Sequence, residues 1–403
     1  MSAGNGPSVA TTGLVFYYDM SNTGKSWLGS PTTNLYYAVN NYLNGNGNHW
    51  INSGGATYND NDTSETPPYI PYASALPASL RITSCKTTTV GNQQVGMGIT
   101  SVSPSTTYTM SVWLKTTHKV WQASPYMRTN VNNNSIATFD YNGDTNFLNW
   151  PTNQWIRLTA TGTTQSNENG IYLSSYIGDT VGHKILYYGF QVEQKSFATP
   201  LVAGTRSNTQ AIVDLTGNSV ITANSLTYTS DNTFRFDGSQ HLSVPNSSYF
   251  NMTTALSIEA WVKFDGNSDD FIFEKGDVNT QYSLFSHGDD IVFRTYHSGD
   301  GGYHTQNPSK ATVGVVNGQW AHIVGSWDGT TKRIYINGVL RDAVSKSGSL
   351  VTTSKGASVG RFGGDTTGYY FNGIIGSVKV YNTGLSASEV KQNFSAARSR
   401  YGI

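Results

Sequence analysis

The chain predicts an all-β fold class: two antiparallel β-sandwiches with one short C-terminal helix. Three observations carry this expectation. Apolar and polar residues alternate with period two in many short runs, as in Tyr108, Met110, Val112 and Leu114, the mark of a half-buried strand. The 403 residues include 42 Gly and abundant Tyr, Trp, Ser, Thr and Asn, which is the composition of strands and turns. Asp328-Gly329 and Asn337-Gly338 interrupt alternating runs between Gln319 and Phe394, and such pairs supply the positive φ of a tight hairpin.

The elements follow in order. Residues 1–30 form a lead segment with one strand, Gly13 to Asp19, and a turn at Ser21 to Gly24. Its expected partners are the C-terminal sandwich, the first sandwich, or neither. Residues 31–194 read as a first sandwich, with strands at Leu80 to Thr83, Tyr108 to Leu114, Trp155 to Thr159, Ile171 to Leu173 and Ile185 to Phe190. Residues 195–210, with Pro200 and Gly204, read as a linker. Residues 211–403 form a second sandwich. In it Ala321, Ile323, Gly325 and Trp327 share one strand face, and Ile334 and Ile336 share the next. Ser386 to Arg398 is the one convincing helix, with Ser386 and Glu389 placed for a capping box and Val390 and Phe394 turned to the sandwich.

Composition excludes several functions. The formal net charge is zero and no basic stripe is visible, so phosphate-driven nucleic-acid binding is not expected. No apolar run reaches the length of a membrane span, and the opening MSAGNGPSVATTG has neither the basic nor the apolar region of a signal peptide. The single Cys85 permits no intrachain disulfide, which favours assembly in a reducing cytoplasm. Only six Glu are present, at 65, 168, 193, 259, 274 and 389, and none has a partner carboxylate at glycosidase spacing. Glu259 is expected on the polar face of its strand. No nucleophile elbow, zinc-protease helix, P-loop or dinucleotide glycine pattern occurs. The expectation is a protein that is not an enzyme.

The order of motifs in the second half carries a resemblance. Phe234 to Gly238, Leu256 to Trp261, Trp320 to Trp327, Ile334 to Gly338, Ser358 to Gly360, Phe371 to Gly373 and Val378 to Tyr381 resemble the laminin-G-like, concanavalin-A-like jelly roll over roughly residues 209 to 395. More loosely, Asn44 to Trp50, Tyr108 to Trp113, Asn153 to Trp155 and Tyr188 to Glu193 look like the jelly-roll carbohydrate-binding modules found beside polysaccharide-degrading enzymes. Gly13 to Asn22 with Pro31 to Leu35, Val192 to Ser207, and Gln392 to Gly402 resemble segments of tailed-phage virion proteins. In such proteins the opening strand runs almost directly into an element like Asp214-Leu-Thr-Gly-Asn218, which implies that the first sandwich is an insertion.

Two kinds of site are candidates. Aromatic rings stack on sugar C–H faces while amides and acids read the hydroxyls. Trp113, Trp155, Trp261 and Trp327 lie in strand patterns and are expected in the core. Trp121, Tyr126 and Trp150 sit among Gln122, Arg128, Asn130, Asn146 and Asn149 between strands, and Tyr303, Tyr369 and Tyr370 lie on Gly-rich loops. These six are the candidate glycan contacts, with packing under loops as the alternative. The resemblance to calcium-binding pentraxins implies a calcium site from Asp269, Asp270 and Asp365, although Arg361 and Phe362 replace ligands that the pattern usually has there. Solvated turn aspartates are the alternative. His297 and His304 flank a Gly-rich tip and offer a weaker two-histidine site.

Taken together, these resemblances imply a virion surface protein, assembled in the host cytoplasm as a fibre, tail appendage or capsid decoration. Its partners would be other virion proteins and cell-surface polysaccharide. Self-association is open, without coiled-coil heptads to drive it. The alternatives are a purely structural assembly protein and an accessory glycan-binding module.

Overall fold

A computed structural model describes residues 8–20, 22, 26–36, 49–52, 56–59, 62–66, 82–89, 93–99, 101–119, 125–178, 180–202, 204–226, 235–276, 281–299, 302–363 and 369–403. The chain divides into two compact units. A split unit combines Met1–Ser30 with Ser207–Ile403, and an inserted unit is Pro31–Arg206. Among the described residues no helix is long and apolar enough to cross a membrane.

The split unit is a jelly-roll sandwich of two antiparallel sheets. The first runs, edge to edge, through Leu14–Asp19, Asn372–Tyr381, Leu256–Phe264, Trp320–Trp327, Thr331–Ile336 and Val339–Ser345, with Phe236–Asp237 also paired to Asn372–Tyr381. The second runs through Thr222–Asn224, His241–Val244, Ala357–Val359, Phe271–Lys275, Tyr282–His287, Asp290–Tyr296 and Tyr303–Gln306. Ile258, Ala260, Ile323, Ile334 and Val378 from the first sheet meet Ile272, Phe273, Leu284, Ile291 and Phe293 from the second in one core. Each fully buried side chain of this size contributes roughly 1.5–3 kcal/mol relative to exposure.

The lead strand joins this sheet by antiparallel pairing with Asn372–Tyr381. Phe16 pairs with Val380 and Tyr18 with Val378. On its other side Asp214 Oδ1 accepts from the Tyr17 amide at 2.9 Å. Thr216 Oγ1 and Asn218 Nδ2 both donate to the Val15 carbonyl at 3.0 Å. The polar side chains of the Asp214–Asn218 element thus close an edge that would otherwise expose unpaired backbone groups.

Both C-terminal hairpins form, with different turns. Asn337 and Gly338 have φ of 51° and 77°, the pair of positive values expected of a two-residue turn. At the other hairpin the Asp328 amide donates to the Thr331 carbonyl, so Gly329 and Thr330 are the central residues. Asp328 instead uses its Oδ1 to accept the Thr330 and Thr331 amides at 2.9 and 2.8 Å. The helix spans Ala387–Ala397, and Ser386 and Glu389 form the reciprocal capping box. A four-residue helix at Lys310–Val313, capped by Ser309, had no periodic signal to announce it.

The inserted unit packs a five-stranded sheet against another. One contains Ala56–Asn59, Thr83–Thr87, Lys184–Glu193, Thr107–Thr116 and Ile156–Thr163; the other contains His49–Asn52, Gln93–Ile99, Ile171–Gly178, Tyr126–Thr129 and Ser135–Thr138. Met110, Val112, Leu158, Leu173, Ile185 and Cys85 lie in the shared core. Burial pushes the Cys85 thiol up to about 12, which leaves it a small apolar filler.

Residues 195–210 correct the linker expectation. Glu193 is fully buried and needs partners. Thr199 supplies two, with its amide donating to Oε2 at 2.9 Å and its hydroxyl to Oε1 at 2.7 Å. Thr32 donates to the same carboxylate at 2.6 Å. Thr205–Arg206 then pairs with Thr32–Thr33. The segment up to Arg206 is therefore packed into the inserted unit, and only from Ser207 does the chain belong to the split unit.

Candidate functional site

The outer face of the second sheet in the split unit carries a depression of about 350 Å³. Its floor arises from a local irregularity in strand Phe271–Lys275. The pairing slips between Phe271 and Phe273, so Ile272 and Phe273 both enter the core. Phe271 and Glu274 are left on the outer face. A bulge of this kind re-aims side chains, and here it turns an aromatic ring to the outer face beside a charge.

Cross-strand pairing assembles the rest. Phe271 opposes Phe285, which opposes Val292, and Ser283 opposes Arg294, which opposes Thr305. The Phe271 and Phe285 rings stack at 4.3 Å with planes 5° apart. Phe362 meets Phe271 edge-on at 4.9 Å, and Tyr369 meets Phe362 edge-on at 5.9 Å. The Arg294 guanidinium lies 4.9 Å from the Phe285 centroid and 5.6 Å from that of Phe362. Its Nη2 donates to both oxygens of Glu274 at 3.0 and 3.2 Å, and its Nε to Ser283 Oγ at 3.0 Å. Glu274 is 1% exposed, so this forked pair locks the arginine against the rings.

Tyr369 is the most exposed large apolar residue among those described, at 60%. Its φ is 45°, a left-handed conformation that a bulky side chain adopts only under constraint. The rim is polar. Asp269 Oδ1 lies 2.7 Å from His287 Nδ1, Asn307 Nδ2 donates to Asp290 Oδ2 at 3.1 Å, and Thr305 completes the lining. An apolar ring floor with a few convergent polar groups can hold a ring-shaped ligand that has apolar faces and hydroxylated edges.

The expected site residues separate. Tyr369 and Asp269 line the depression. Tyr370 bridges to Arg361 with its ring 6.0 Å from His241, and it is not among the lining residues. The Tyr303 backbone pairs with Tyr296, while its side chain lies outside the described residues, as do Trp121 and Asp365. In the inserted unit Tyr126 is half-buried with Arg128 5.7 Å above its ring. Trp150 corrects the expectation of a glycan contact. It is 1% exposed, packs edge-on against Phe147 and donates from Nε1 to the Asp144 carbonyl at 2.8 Å. Its polar sequence neighbours are loop residues wrapped around a core ring.

Asp269 and Asp270 point apart, and Asp365, the third residue of the calcium expectation, lies outside the described residues. Successive strand residues point to opposite faces. Asp269 turns to the rim, whereas Asp270 is fully buried. Asp270 accepts from the Asn372 amide at 2.8 Å and from the Ser268 and Ser286 hydroxyls. Burial raises its pKa despite these bonds. Among the described residues no group of three or more His, Cys, Asp or Glu side chains converges as a metal site. His297 is likewise buried, edge-on to Trp327 at 4.9 Å.

Glu259 takes the outer face of its strand, as expected, but that face is covered. It is 1% exposed beneath the C-terminal helix. Lys379 Nζ approaches Oε1 at 2.6 Å and His322 Nε2 at 3.2 Å, and Asn393 Nδ2 from the helix donates to Oε2 at 2.5 Å. Burial alone would raise its pKa, but Lys379 and His322 outweigh it and hold the carboxyl well below the usual range. Trp261 and Trp327 are fully buried, while Trp113 and Trp155 are partly buried.

The sequence reading missed Phe271, Phe285, Phe362, Arg294, His287 and Asn307. A signal existed for some. Ser283, Phe285 and His287 share one parity in their strand, as do Asp290, Val292 and Arg294. Large apolar residues on an otherwise polar face are the pattern of a binding surface.

Residues 236–391 match the family model described as the concanavalin A-like lectin/glucanases superfamily. Comparison of the sequence with curated proteins returns no match. Among solved structures, the chain is similar to that titled "Cell entry of botulinum neurotoxin type C is dependent upon interaction with two ganglioside molecules", at 15% identity, covering 47% of this chain and 49% of that one, with a TM-score of 0.37. It is also similar to domain 4 of AbnA, an extracellular arabinanase of Geobacillus stearothermophilus in complex with arabinotriose, at 21% identity, 47% and 93% coverage and a TM-score of 0.37. A third is the binding domain of Paraclostridial Mosquitocidal Protein 1, at 16% identity, 45% and 49% coverage and a TM-score of 0.36. The match spans about half the length of the toxin chains. The domain at residues 236–391 is a laminin-G-like, concanavalin A-like jelly roll.

Proposed function

We propose that this chain is a non-enzymatic, lectin-like protein of a tailed-phage virion surface that binds host or environmental polysaccharide at the depression of the split unit. The observation that carries the binding reading is the ring floor of Phe271, Phe285 and Phe362 with exposed Tyr369 at its edge. A sugar would lay its C–H face on Tyr369 and the floor, and Asp269, Asp290, Asn307 and Thr305 would meet its hydroxyls. Single-site affinity would be weak, and multiple copies on a particle would raise it. The two carboxylates on the rim, Asp269 and Asp290, are not enclosed by apolar groups as a glycosidase acid needs to be. Asp269 retains 31% side-chain exposure beside His287.

The virion reading is supported by the lead strand, which enters the split unit's sheet and is held there by the Asp214–Asn218 element. The edge strand Val339–Ser345, with Val339 50% and Leu340 46% exposed, favours assembly contacts as a second role.

Affinity electrophoresis through gels containing surface polysaccharides tests the binding reading. The protein is expected to be retarded in at least one gel, with Tyr369→Ala abolishing the shift. Absence of retardation by every polysaccharide overturns it. A reducing-end assay on the same polysaccharides is expected to show no release, and release would make the chain an enzyme. Immunogold labelling of purified particles tests the location.

A further inference from the structure

Resting on the glycan-binding reading, we infer that the depression selects neutral glycans and rejects acidic ones. Arg294 would at first sight recruit a uronate or sialate carboxylate. Two of its three nitrogens are already committed. Both Glu274 oxygens accept from Nη2, at 3.0 and 3.2 Å, and Nε is spent on Ser283. Glu274 is 1% exposed and cannot leave without becoming a buried, unpaired charge.

The guanidinium therefore serves as a flat plate over Phe271, Phe285 and Phe362, at 5.7, 4.9 and 5.6 Å from their centroids. With Arg294 and Glu274 cancelling, the remaining charges among the described lining residues are the carboxylates of Asp269 and Asp290, with His287 beside Asp269. Like charge across a small depression suppresses the wrong ligand, while neutral hydroxyls find acceptors in the same two carboxylates.

Isothermal titration of the full chain with oligosaccharides of a neutral glucan, mannan and galactan, and of the polyuronates alginate and polygalacturonate, tests this. At least one neutral ligand is expected to bind about tenfold or more tighter than either uronate. The double variant Asp269→Asn with Asp290→Asn is expected to narrow that ratio about tenfold, and added salt to narrow it in the native chain. Uronate binding that equals or exceeds neutral binding, and that Tyr369→Ala removes, overturns the selectivity and leaves the glycan reading standing. An unchanged ratio in the double variant also overturns it. No binding of any sugar removes both.

Discussion

The two outer faces of the split unit each present a glutamate paired to a cation, and they meet different fates. On the first sheet Glu259 and Lys379 lie under the C-terminal helix, 1% and 2% exposed at the side chain. Asn393 reaches down from that helix to the carboxylate and Tyr381 joins them. Phe394 and Tyr401 stack on Trp261 at 5.7 and 4.3 Å. On the second sheet Glu274 and Arg294 have no covering helix, and aromatic rings surround them instead. The same local chemistry is structural where a terminal segment seals it. Where the face stays open, it holds a rigid plate at the surface.

The comparison breaks most sharply at the sealed pair. Lys379→Ala leaves a buried carboxylate without its nearest cation, and loss of one partner of a buried pair costs about 3–5 kcal/mol. It also removes the ammonium 4.9 Å from the Tyr17 ring, so the lead strand is expected to loosen with the helix. Urea unfolding should show the lowered midpoint. Glu259→Gln in the Lys379→Met background should recover part of the loss. Retained stability in Lys379→Ala would show that the helix, not the charge pair, holds this face.

At the open face the expected loss is in binding. Tyr369→Ala removes a ring that is 60% exposed. Stability should stay within about 0.5 kcal/mol, because alanine keeps the Cβ that makes the left-handed backbone costly. Polysaccharide affinity should fall at least about tenfold, or about 1.4 kcal/mol. A chelator should leave the binding unchanged, because Asp270 is consumed by Asn372, Ser268 and Ser286. Calcium-dependent binding would return Asp269 to the role that the pentraxin resemblance implied.

The contrast also shows what sequence could reveal. Strand alternation and Asn337-Gly338 made the sandwich legible, because period two and positive φ are local properties. The capping box at Ser386 and Glu389 was legible for the same reason. Alternation gave Glu259 its face but not its burial, because it reports only which face a residue takes, not what later covers that face. The depression was hidden by the slip between Phe271 and Phe273, which shifts parity by one residue. Trp150 misled in the opposite direction, since its amide-rich neighbours surround a ring that is 1% exposed.

A smaller effect separates helix docking from helix formation. Ser386→Ala removes the side chain that accepts the Glu389 amide and breaks the reciprocal cap. Loss of such a cap costs about 1 kcal/mol. The thermal midpoint should fall by a few degrees with sugar binding unchanged, since the depression lies on the other sheet. A change in affinity would mean that the two faces are coupled.

The smallest expected effect is a pH dependence within the split unit. Burial, then the nearby Arg361 charge, lowers the His241 pKa to about 4, against about 6.5 in an unfolded chain. The folded state therefore holds this imidazole neutral where the unfolded state protonates it. Stability from this group is complete above about pH 6.5 and is lost as pH falls toward about 4, below which both states are protonated. Glu259 adds a second loss at lower pH, because its folded carboxyl stays ionised after the unfolded one protonates. Urea midpoints between pH 7 and 4 should fall for the native chain and flatten in His241→Gln, while the Asp269→Asn with Asp290→Asn variant keeps the native slope. A native slope in His241→Gln would move the acid sensitivity to the sealed face, where Glu259 sits.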